Sequence, residues 1–261
     1  MNYYIDTEFI EGTQKKRILG ISTGFHTKPT IDLISIGIVS EDNREYYAIS
    51  KDFNIDEAWY RYDLKDIKPP GHVMHHVKEK VYWIRENVLK PIFNELANKY
   101  FNDFGFPEHY FNLKDFKELI HMYGKSNKKI AQEIKEFVGF PHYQTERLDT
   151  EDRQSIEDKP EFYGYYTSYD WVVFCWIFGK IIALPKGFPM FPIDLKVELD
   201  RMVLKLGLNK VQFKFDEDYP KQTDEHNAIA DARWNKKLDE YISKKYTEHI
   251  LEQVITKTNK K

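Results

Sequence analysis

The sequence predicts an α/β protein in which one mixed β-sheet is flanked by helices. Segments with the composition of strands come first along the chain, and segments that pass from strand into helix follow them. Strands followed by alternating strand and helix units typically form one sheet with helices packed on it. The 261 residues are 41% hydrophobic and 31% charged, which suits a globular protein with a core of ordinary size.

The first three predicted strands form an antiparallel meander. The opening segment "NYYIDTEF" is aromatic and β-branched, which is typical of a strand. The segment "IDLISIGIVS" is a well-patterned second strand, and "EYYAIS" is the strand that returns after the turn "EDNRE". These three segments therefore supply the antiparallel part of the predicted mixed sheet.

Two helices are predicted in the middle of the chain. Residues 78–98 have apolar side chains at helical spacing, and the helix is expected to be interrupted or bent near Pro91. Residues 99–126 are rich in aromatic side chains and irregular, and no element is assigned to them. The segment "KKIAQEIKEFVG" predicts an amphipathic helix that ends at Gly139.

The last third of the chain repeats a strand–helix plan. The charged segment "TERLDTEDRQSIEDKPE" is interpreted as a surface loop or linker. A strand followed by a helix is predicted in "EFYGYYTSYDWVVFCWIFGKII" and again in "FPMFPIDLKVELDRMVLKLG". The segment "DEHNAIADARWNKKLDEYISKKY" predicts a final helix, and the Lys-rich tail after Thr247 is expected to fray.

Composition narrows the classes of function. The formal net charge of −3 argues against a protein that coats DNA by its overall positive charge, although a local groove could still bind nucleic acid. The single Cys175 excludes a disulfide framework and a Cys-rich zinc site, and its apolar surroundings predict a buried, inert thiol. The start lacks the form of a signal peptide, and Lys180 interrupts the longest apolar run. We therefore expect a cytoplasmic protein.

The tripeptide Asp-Thr-Glu occurs twice in different surroundings. Asp6 and Glu8 follow a hydrophobic run, and residues two apart on a strand point to one face at a spacing of about 7 Å. Two carboxylates held together repel each other unless a cation such as Mg²⁺ neutralises them. Asp149 and Glu151 lie instead among charged residues with no predicted strand, so they indicate a solvated loop.

Three further polar residues could complete a site, each with an ordinary alternative. Asp170 follows the strand-like "YGYYTSY", where it is either a metal ligand or an N-cap. His226 and Asp231 would point about 140° apart within one helix. If Asn227 caps the helix, both can face one centre; otherwise Asp231 supports the helix dipole and His226 is an exposed loop residue.

Other residue types suggest weaker candidates for binding. Phe9, Tyr169 and Trp171 are candidates to stack on bases, and core packing is the alternative for Trp171. The basic runs Lys15–Arg17 and "GKSNKK" either contact phosphates or form solvated faces. A zinc site at His72, His75 and His76 is disfavoured because neighbouring side chains diverge and a fourth ligand is missing nearby.

In order along the chain, "IDTEF", "YYTSYD" and "HNAIAD" resemble the three motifs of the DEDDh family of 3′–5′ exonucleases. The segments "IDLISIGIVSEDNREYYAIS", "WIRENVLKPIF" and "HNAIADARWN" are similar to its small bacterial and phage exoribonucleases of the mycobacterial type. The resemblance covers most of residues 1–245 and implies a ribonuclease H-like fold with two Mg²⁺ or Mn²⁺ ions. It implies that four acidic residues bind the metals and that His226 is the general base; the acids are Asp6, Glu8, Asp170 and Asp231.

The resemblance also sets expectations about organisation and substrate. Residues 1–245 are expected to form one exonuclease domain with insertions near 11–30 and 99–126, followed by a Lys-rich tail at 246–261. The first insertion is expected to be a lid, a hairpin extension or a partner surface. The expected substrate is the 3′ end of single-stranded RNA or a short oligonucleotide, cleaved to nucleoside 5′-monophosphates, and a homodimer is expected. The alternatives are a DNA exonuclease and an inactive nucleic-acid-binding protein of the same fold.

Overall fold

A computed structural model describes residues 1–18, 21–67, 77–105, 110–139, 159–208 and 212–258. The strands of this part of the chain are β1 (Asn2–Gly12), β2 (Lys15–Ile18), β3 (Ile21–His26), β4 (Thr30–Ser40), β5 (Glu45–Ile49), β6 (Asp63–Ile67), β7 (Val77–Val81), β8 (Glu161–Gly164) and β9 (Ile193–Asp194). The α-helices are α1 (Ile55–Tyr60), α2 (Lys90–Phe104), α3 (Leu113–Tyr123), α4 (Asn127–Val138), α5 (Ser168–Ile177), α6 (Leu195–Lys205) and α7 (Ala228–Thr258).

Five strands form one mixed sheet in the order β5–β4–β1–β8–β9. Strand β8 pairs in parallel with β1 and with β9. Strands β4 and β5 form an antiparallel hairpin, in which the Ser40 N–H donates to the Arg44 carbonyl and the Ser50 N–H donates to the Ile34 carbonyl. The predicted α/β class, with its meander followed by strand–helix units, is therefore confirmed.

The chain divides into two compact units. The first contains Met1–Thr7, Ser35–Ala48 and Lys128–Lys261, and the second contains Glu8–Ile34 and Ile49–Asn127. In the first unit, apolar side chains of α6 and α7 form a buried cluster that includes Leu199 and Leu238.

The second unit has an aromatic core of its own. The Trp59 ring lies 4.8 Å from that of Phe111 and 5.9 Å from that of Phe116, measured between ring centres. Phe93 of α2 adds a fourth ring, 5.3 Å from Phe111. The aromatic residues of segment 99–126, to which the sequence analysis assigns no element, therefore include core residues of this unit.

The segment between β1 and β4 contains a hairpin extension. Strands β2 and β3 pair antiparallel in a two-stranded sheet. The segment therefore contains a hairpin, which is one of the forms expected for it. In residues 99–126, where the second insertion is predicted, α2 continues to Phe104 and α3 follows at Leu113–Tyr123, so much of the segment is helical.

The helix predicted over residues 78–98 is wrong at its start. Residues 77–81 form β7, which pairs antiparallel with β6. In this short segment Lys78 and Lys80 alternate with Val77, Glu79 and Val81, which also fits the two-residue period of a strand. A π-helical turn occupies Arg85–Leu89, and α2 begins immediately before Pro91. Proline lacks an N–H and crowds the preceding turn, so a wider turn at this point relieves both constraints.

Helices α4 and α7 end differently from each other. Gly139 follows α4 with a φ of +68°, which confirms the predicted C-cap, since this conformation strains a residue with a Cβ. Helix α7 continues to Thr258, so the expected fraying after Thr247 is wrong. No Gly or Pro interrupts α7, and the contact between Lys244 and Glu248 adds an i,i+4 ion pair.

Cys175 is buried, as predicted, and burial raises the pKa of its thiol to about 11. Among the described residues, no helix has both the length and the apolar character needed to cross a membrane. The charged loop with Asp149 and Glu151, and the histidines 72, 75 and 76, lie outside the described residues.

We expect Gly37→Ala to destabilise the protein. A Cβ at this position of β4 would meet the Ala228 carbonyl group and lie 2.5 Å from the Cα of Ile229, and main-chain atoms cannot move aside as a flexible side chain can. Overpacking of this kind costs about 1–3 kcal/mol of unfolding free energy. Urea denaturation followed by circular dichroism measures this change, and an unaltered midpoint would contradict the close approach of α7 to β4.

Candidate metal centre

Strand β1 presents two carboxylates on one face. Ile5 and Thr7 are buried, whereas Asp6 and Glu8, which alternate with them, are half-buried. This alternation follows from the two-residue period of a strand. The sequence prediction that Asp6 and Glu8 share one face is therefore confirmed.

Asp231 joins this pair from the far end of the sequence. One oxygen atom from each of Asp6, Glu8 and Asp231 lies within 4.8 Å of the others. Carboxylate oxygens are the ligands that hard divalent cations such as Mg²⁺ prefer. Three acidic groups this close repel one another when ionised, so a cation between them would lower the energy of the arrangement.

The start of α7 places Asp231 in its first turn. The Asn227 side chain accepts a hydrogen bond of 3.2 Å from the Ala230 N–H, and the Asp231 N–H donates to the Asn227 carbonyl at 2.9 Å. Asn227 therefore caps the helix, which is the condition under which His226 and Asp231 are expected to face one centre. His226 lies before this cap, and its own N–H donates to Asp231 Oδ2 at 2.9 Å.

The backbone of His226 adopts an unusual conformation. Its φ is +68°, which is in the left-handed region that few residues other than glycine occupy. Such a conformation costs on the order of 1 kcal/mol and persists where surrounding contacts hold it. Here the hydrogen bond from the His226 N–H to Asp231 is one such contact.

Asp170 lies in the first turn of α5, where it is buried. Thr167 occupies the N-cap position, so the N-cap alternative for Asp170 is wrong. Asp170 Oδ1 accepts hydrogen bonds from the Thr7 N–H at 2.9 Å and from the Thr7 hydroxyl at 2.6 Å. Thr7 lies between Asp6 and Glu8, so these bonds hold Asp170 beside the strand that carries them.

Burial makes two of the acids harder to ionise. It raises the pKa of Asp170 to about 6, against the opposing effect of the Thr7 hydrogen bonds. It also raises the pKa of Asp231, although the hydrogen bond from Gln222 Nε2 at 2.6 Å stabilises the charged form. A raised carboxyl pKa in the folded chain means that stability falls as pH rises through that pKa. A bound cation would offset this cost by stabilising the carboxylates.

Sequence reasoning missed three polar residues that bond to the predicted ligands or to the strand that carries them. Thr7 and Gln222 donate to Asp170 and Asp231, and Asn235 Nδ2 donates to the Ile5 carbonyl at 2.9 Å. Asn235 lies four residues after Asp231, on the same face of α7, which is a signal that the sequence did contain. Gln222 left no such signal, because it lies on an irregular segment before the helix.

The candidate stacking residues occupy different environments. Tyr169 is exposed, and Phe9 is half-buried. Trp171 is buried, its ring stacks on Phe174 at 4.9 Å, and its indole N–H donates to the Met190 carbonyl. The assignment of Trp171 to base stacking is therefore wrong, because its ring lies in the aromatic core.

Comparison with known proteins adds a relative of similar length. No family model matches the chain. The chain is similar to a protein named 3′–5′ exoribonuclease from Mycobacterium tuberculosis, in strain CDC 1551 / Oshkosh and in strain ATCC 25618 / H37Rv. Each alignment is 26% identical over 233 residues and covers 89% of this chain and 88% of the relative. The similarity therefore extends over most of both chains.

We expect the acidic cluster to bind Mn²⁺ and Asp231→Asn to abolish most of the resulting stabilisation. At a concentration one hundred times its dissociation constant, an ion that binds only the folded chain adds about 2.7 kcal/mol to the unfolding free energy. Thermal unfolding in MnCl₂ and in EDTA measures the gain. The matched control is Asp239→Asn on the same helix, because Asp239 accepts from the Tyr4 hydroxyl and is no member of the cluster. Equal Mn²⁺ shifts in wild type and Asp231→Asn would contradict the assignment.

Proposed function

We propose that this chain is a metal-dependent 3′–5′ exoribonuclease of the DEDDh type. The observation that carries the proposal is the cluster of Asp6, Glu8 and Asp231, whose carboxylate oxygens lie within 4.8 Å of one another. The similarity to the mycobacterial exoribonucleases over 89% of the chain supports the same activity. The reaction is the hydrolysis of the phosphodiester bond at the 3′ end of RNA.

Two Mg²⁺ or Mn²⁺ ions would be held by four carboxylates in this proposal. Asp6, Glu8 and Asp231 supply three of them, and Asp170 is the proposed fourth, because it accepts hydrogen bonds from Thr7, the residue between Asp6 and Glu8. When bound, the ions would supply a lowered pKa for the attacking water and positive charge opposite the developing charge on phosphate. The donor set fits such ions, because all four ligands offer oxygen atoms.

His226 is the proposed general base. It lies directly before the cap of α7, and its N–H is bonded to Asp231, so its position is tied to one of the proposed ligands. An imidazole takes up and releases protons near neutral pH, which suits a group that removes a proton from water during attack. The water oxygen loses a proton to His226 and forms the new bond to phosphorus, while the bond from phosphorus to the 3′ oxygen breaks and that oxygen takes a proton from solvent.

The products follow from which bond to phosphorus breaks. The released nucleotide keeps the phosphate on its 5′ oxygen and leaves as a nucleoside 5′-monophosphate. The shortened RNA ends in a 3′ hydroxyl, and it can enter the site again. Tyr169, exposed next to Asp170, is the proposed contact for the terminal base, together with Phe9 next to Glu8.

We expect wild type to shorten 5′-labelled single-stranded RNA from its 3′ end in Mg²⁺ or Mn²⁺ and to leave it intact in EDTA. The variants Asp6→Ala and His226→Ala should each lose this activity, the latter by about 10²–10⁴-fold because general base catalysis contributes that much. A denaturing gel that resolves single nucleotides measures the rate. The same assay on DNA of matching sequence measures the sugar preference.

The control for His226→Ala is His249→Ala, which removes an imidazole on α7 outside the acidic cluster. His249→Ala should degrade RNA at the wild-type rate. An RNA ladder that persists in EDTA would overturn the metal-dependent mechanism. Binding of RNA without any ladder, in either metal, would identify a binding protein instead, and a faster ladder on DNA would identify a DNA exonuclease.

A further inference from the structure

The second unit contains a cavity of about 300 Å³ that includes none of the acidic ligands proposed above. Its walls are formed by six residues, namely Lys15, Glu57, Tyr60, Arg61, Tyr62 and Leu64. The volume is at the lower end of the range for pockets that hold small molecules. Aromatic and aliphatic side chains form part of the wall, and charged groups form the rest.

The charged groups of this cavity carry a net positive charge. Glu57 is buried, and its carboxylate accepts from the Lys15 backbone N–H at 3.2 Å and forms an ion pair with Arg61 at 3.2 Å. The charge of Glu57 is therefore matched by that of Arg61. The ammonium group of Lys15 adds a further positive charge, which favours an anionic ligand.

The hairpin of β6 and β7 extends this wall with aromatic and basic side chains. Leu64 of β6 lies directly opposite Lys80 of β7, so these two side chains are on one face of the hairpin. The two-residue period places Tyr62 and Tyr82, which flank these strands, on the same face. Lys65 lies on the opposite face, where its cross-strand partner is Glu79.

Cations surround the aromatic rings on this face. The Lys80 ammonium lies 4.5 Å from the centre of the Tyr62 ring, and the Lys15 ammonium lies 5.9 Å from it. The Arg85 guanidinium lies 4.0 Å from the centre of the Tyr82 ring, which is 5.8 Å from that of Tyr62. Aromatic rings beside cations are the surface that single-stranded nucleic acid requires, because bases stack on rings while phosphates meet positive charge.

Hydrogen bonds join the wall of the cavity to the end of β1, the strand that carries Glu8. Arg61 donates to the main-chain carbonyls of Glu11 and Thr13, with a distance of 2.9 Å to the latter. Glu11 lies three residues after Glu8, which is about 10 Å along a strand. Glu8 and the cavity therefore belong to the same unit and are joined by a single strand.

We infer that the cavity and the adjoining face of the β6–β7 hairpin bind an upstream nucleotide of the single-stranded RNA substrate. The base stacks against Tyr62, and the neighbouring phosphate contacts the ammonium groups of Lys15 and Lys80. This inference rests on the proposed exoribonuclease function, because it takes RNA as the occupant. It adds a second region of contact outside the metal centre, so RNA long enough to reach it binds more tightly.

The test compares Lys80→Ala with Lys65→Ala, which remove the same charge from opposite faces of one hairpin. The probe is a fluorescein-labelled single-stranded RNA of eight nucleotides, in EDTA so that no strand is cleaved, and its binding is followed by fluorescence anisotropy. Each phosphate contact contributes a slope of about −0.7 to the plot of log affinity against log salt for a single strand. We expect Lys80→Ala to reduce that slope by one such contact and Lys65→Ala to leave it unchanged.

Tyr62 provides an independent test of base stacking. A stacked base contributes about 1–3 kcal/mol, so Tyr62→Ala should weaken RNA binding by about 5- to 160-fold. Tyr62→Phe keeps the ring and should retain wild-type affinity. An RNA duplex of the same sequence offers no unpaired base, so its affinity should not depend on Tyr62.

The outcomes separate this inference from the proposed function. Equal binding and equal salt slopes for Lys80→Ala and Lys65→Ala would overturn the inference even if wild type degrades RNA. Failure of wild type to bind the eight-nucleotide RNA would also overturn it. If Lys80→Ala and Tyr62→Ala weaken binding while wild type cleaves no RNA in any metal, the binding surface stands and the exonuclease proposal fails.

Discussion

The close packing of α7 against strands β1 and β4 is the contact on which the candidate metal centre depends. Gly37 lets the start of α7 approach β4, and Asn235 bonds to the Ile5 carbonyl one residue before Asp6. Apolar side chains of the three elements fill the space between them and form a buried cluster: Tyr4, Val39, Ile229 and Ala232. Because these contacts lie on both sides of Asp231, they limit how far its carboxylate can move from Asp6.

This packing works against the repulsion of the acids that it brings together. Burial raises the pKa of Asp170 and of Asp231, which means that the folded chain stabilises their neutral forms relative to water. The same residues receive hydrogen bonds from Thr7, Gln222 and the His226 backbone, which stabilise the charged forms. Without a cation, these buried acids lower the stability of the folded chain, and a bound cation would remove that penalty. The acids therefore agree with a role in function and not in stability.

The parts of the structure that follow from local pattern were predictable from the sequence. The alternation in β1, the hairpin of β4 and β5, and the capped start of α7 depend on residues within a few positions of each other. The sequence predicts a helix from Lys78 onward, although residues 78–81 belong to β7, because the pairing partner β6 lies ten or more residues away and leaves no local signal. Trp171 was a candidate for stacking for the same reason, since only the positions of Phe162 and Phe174 show that its ring is enclosed.

The sequence alone determined which side chains could carry the chemistry, because Asp6 and Glu8 share a strand face through the two-residue period and Asn227, a residue type that caps helices, lies four positions before Asp231. Tertiary structure alone decided that Asp231 meets Asp6 across more than two hundred residues, and that Thr7 holds Asp170. It also brought Tyr62, Lys15 and Lys80 together in the second unit. These contacts depend on how elements pack and pair, which the spacing of residues along a single strand or helix does not specify.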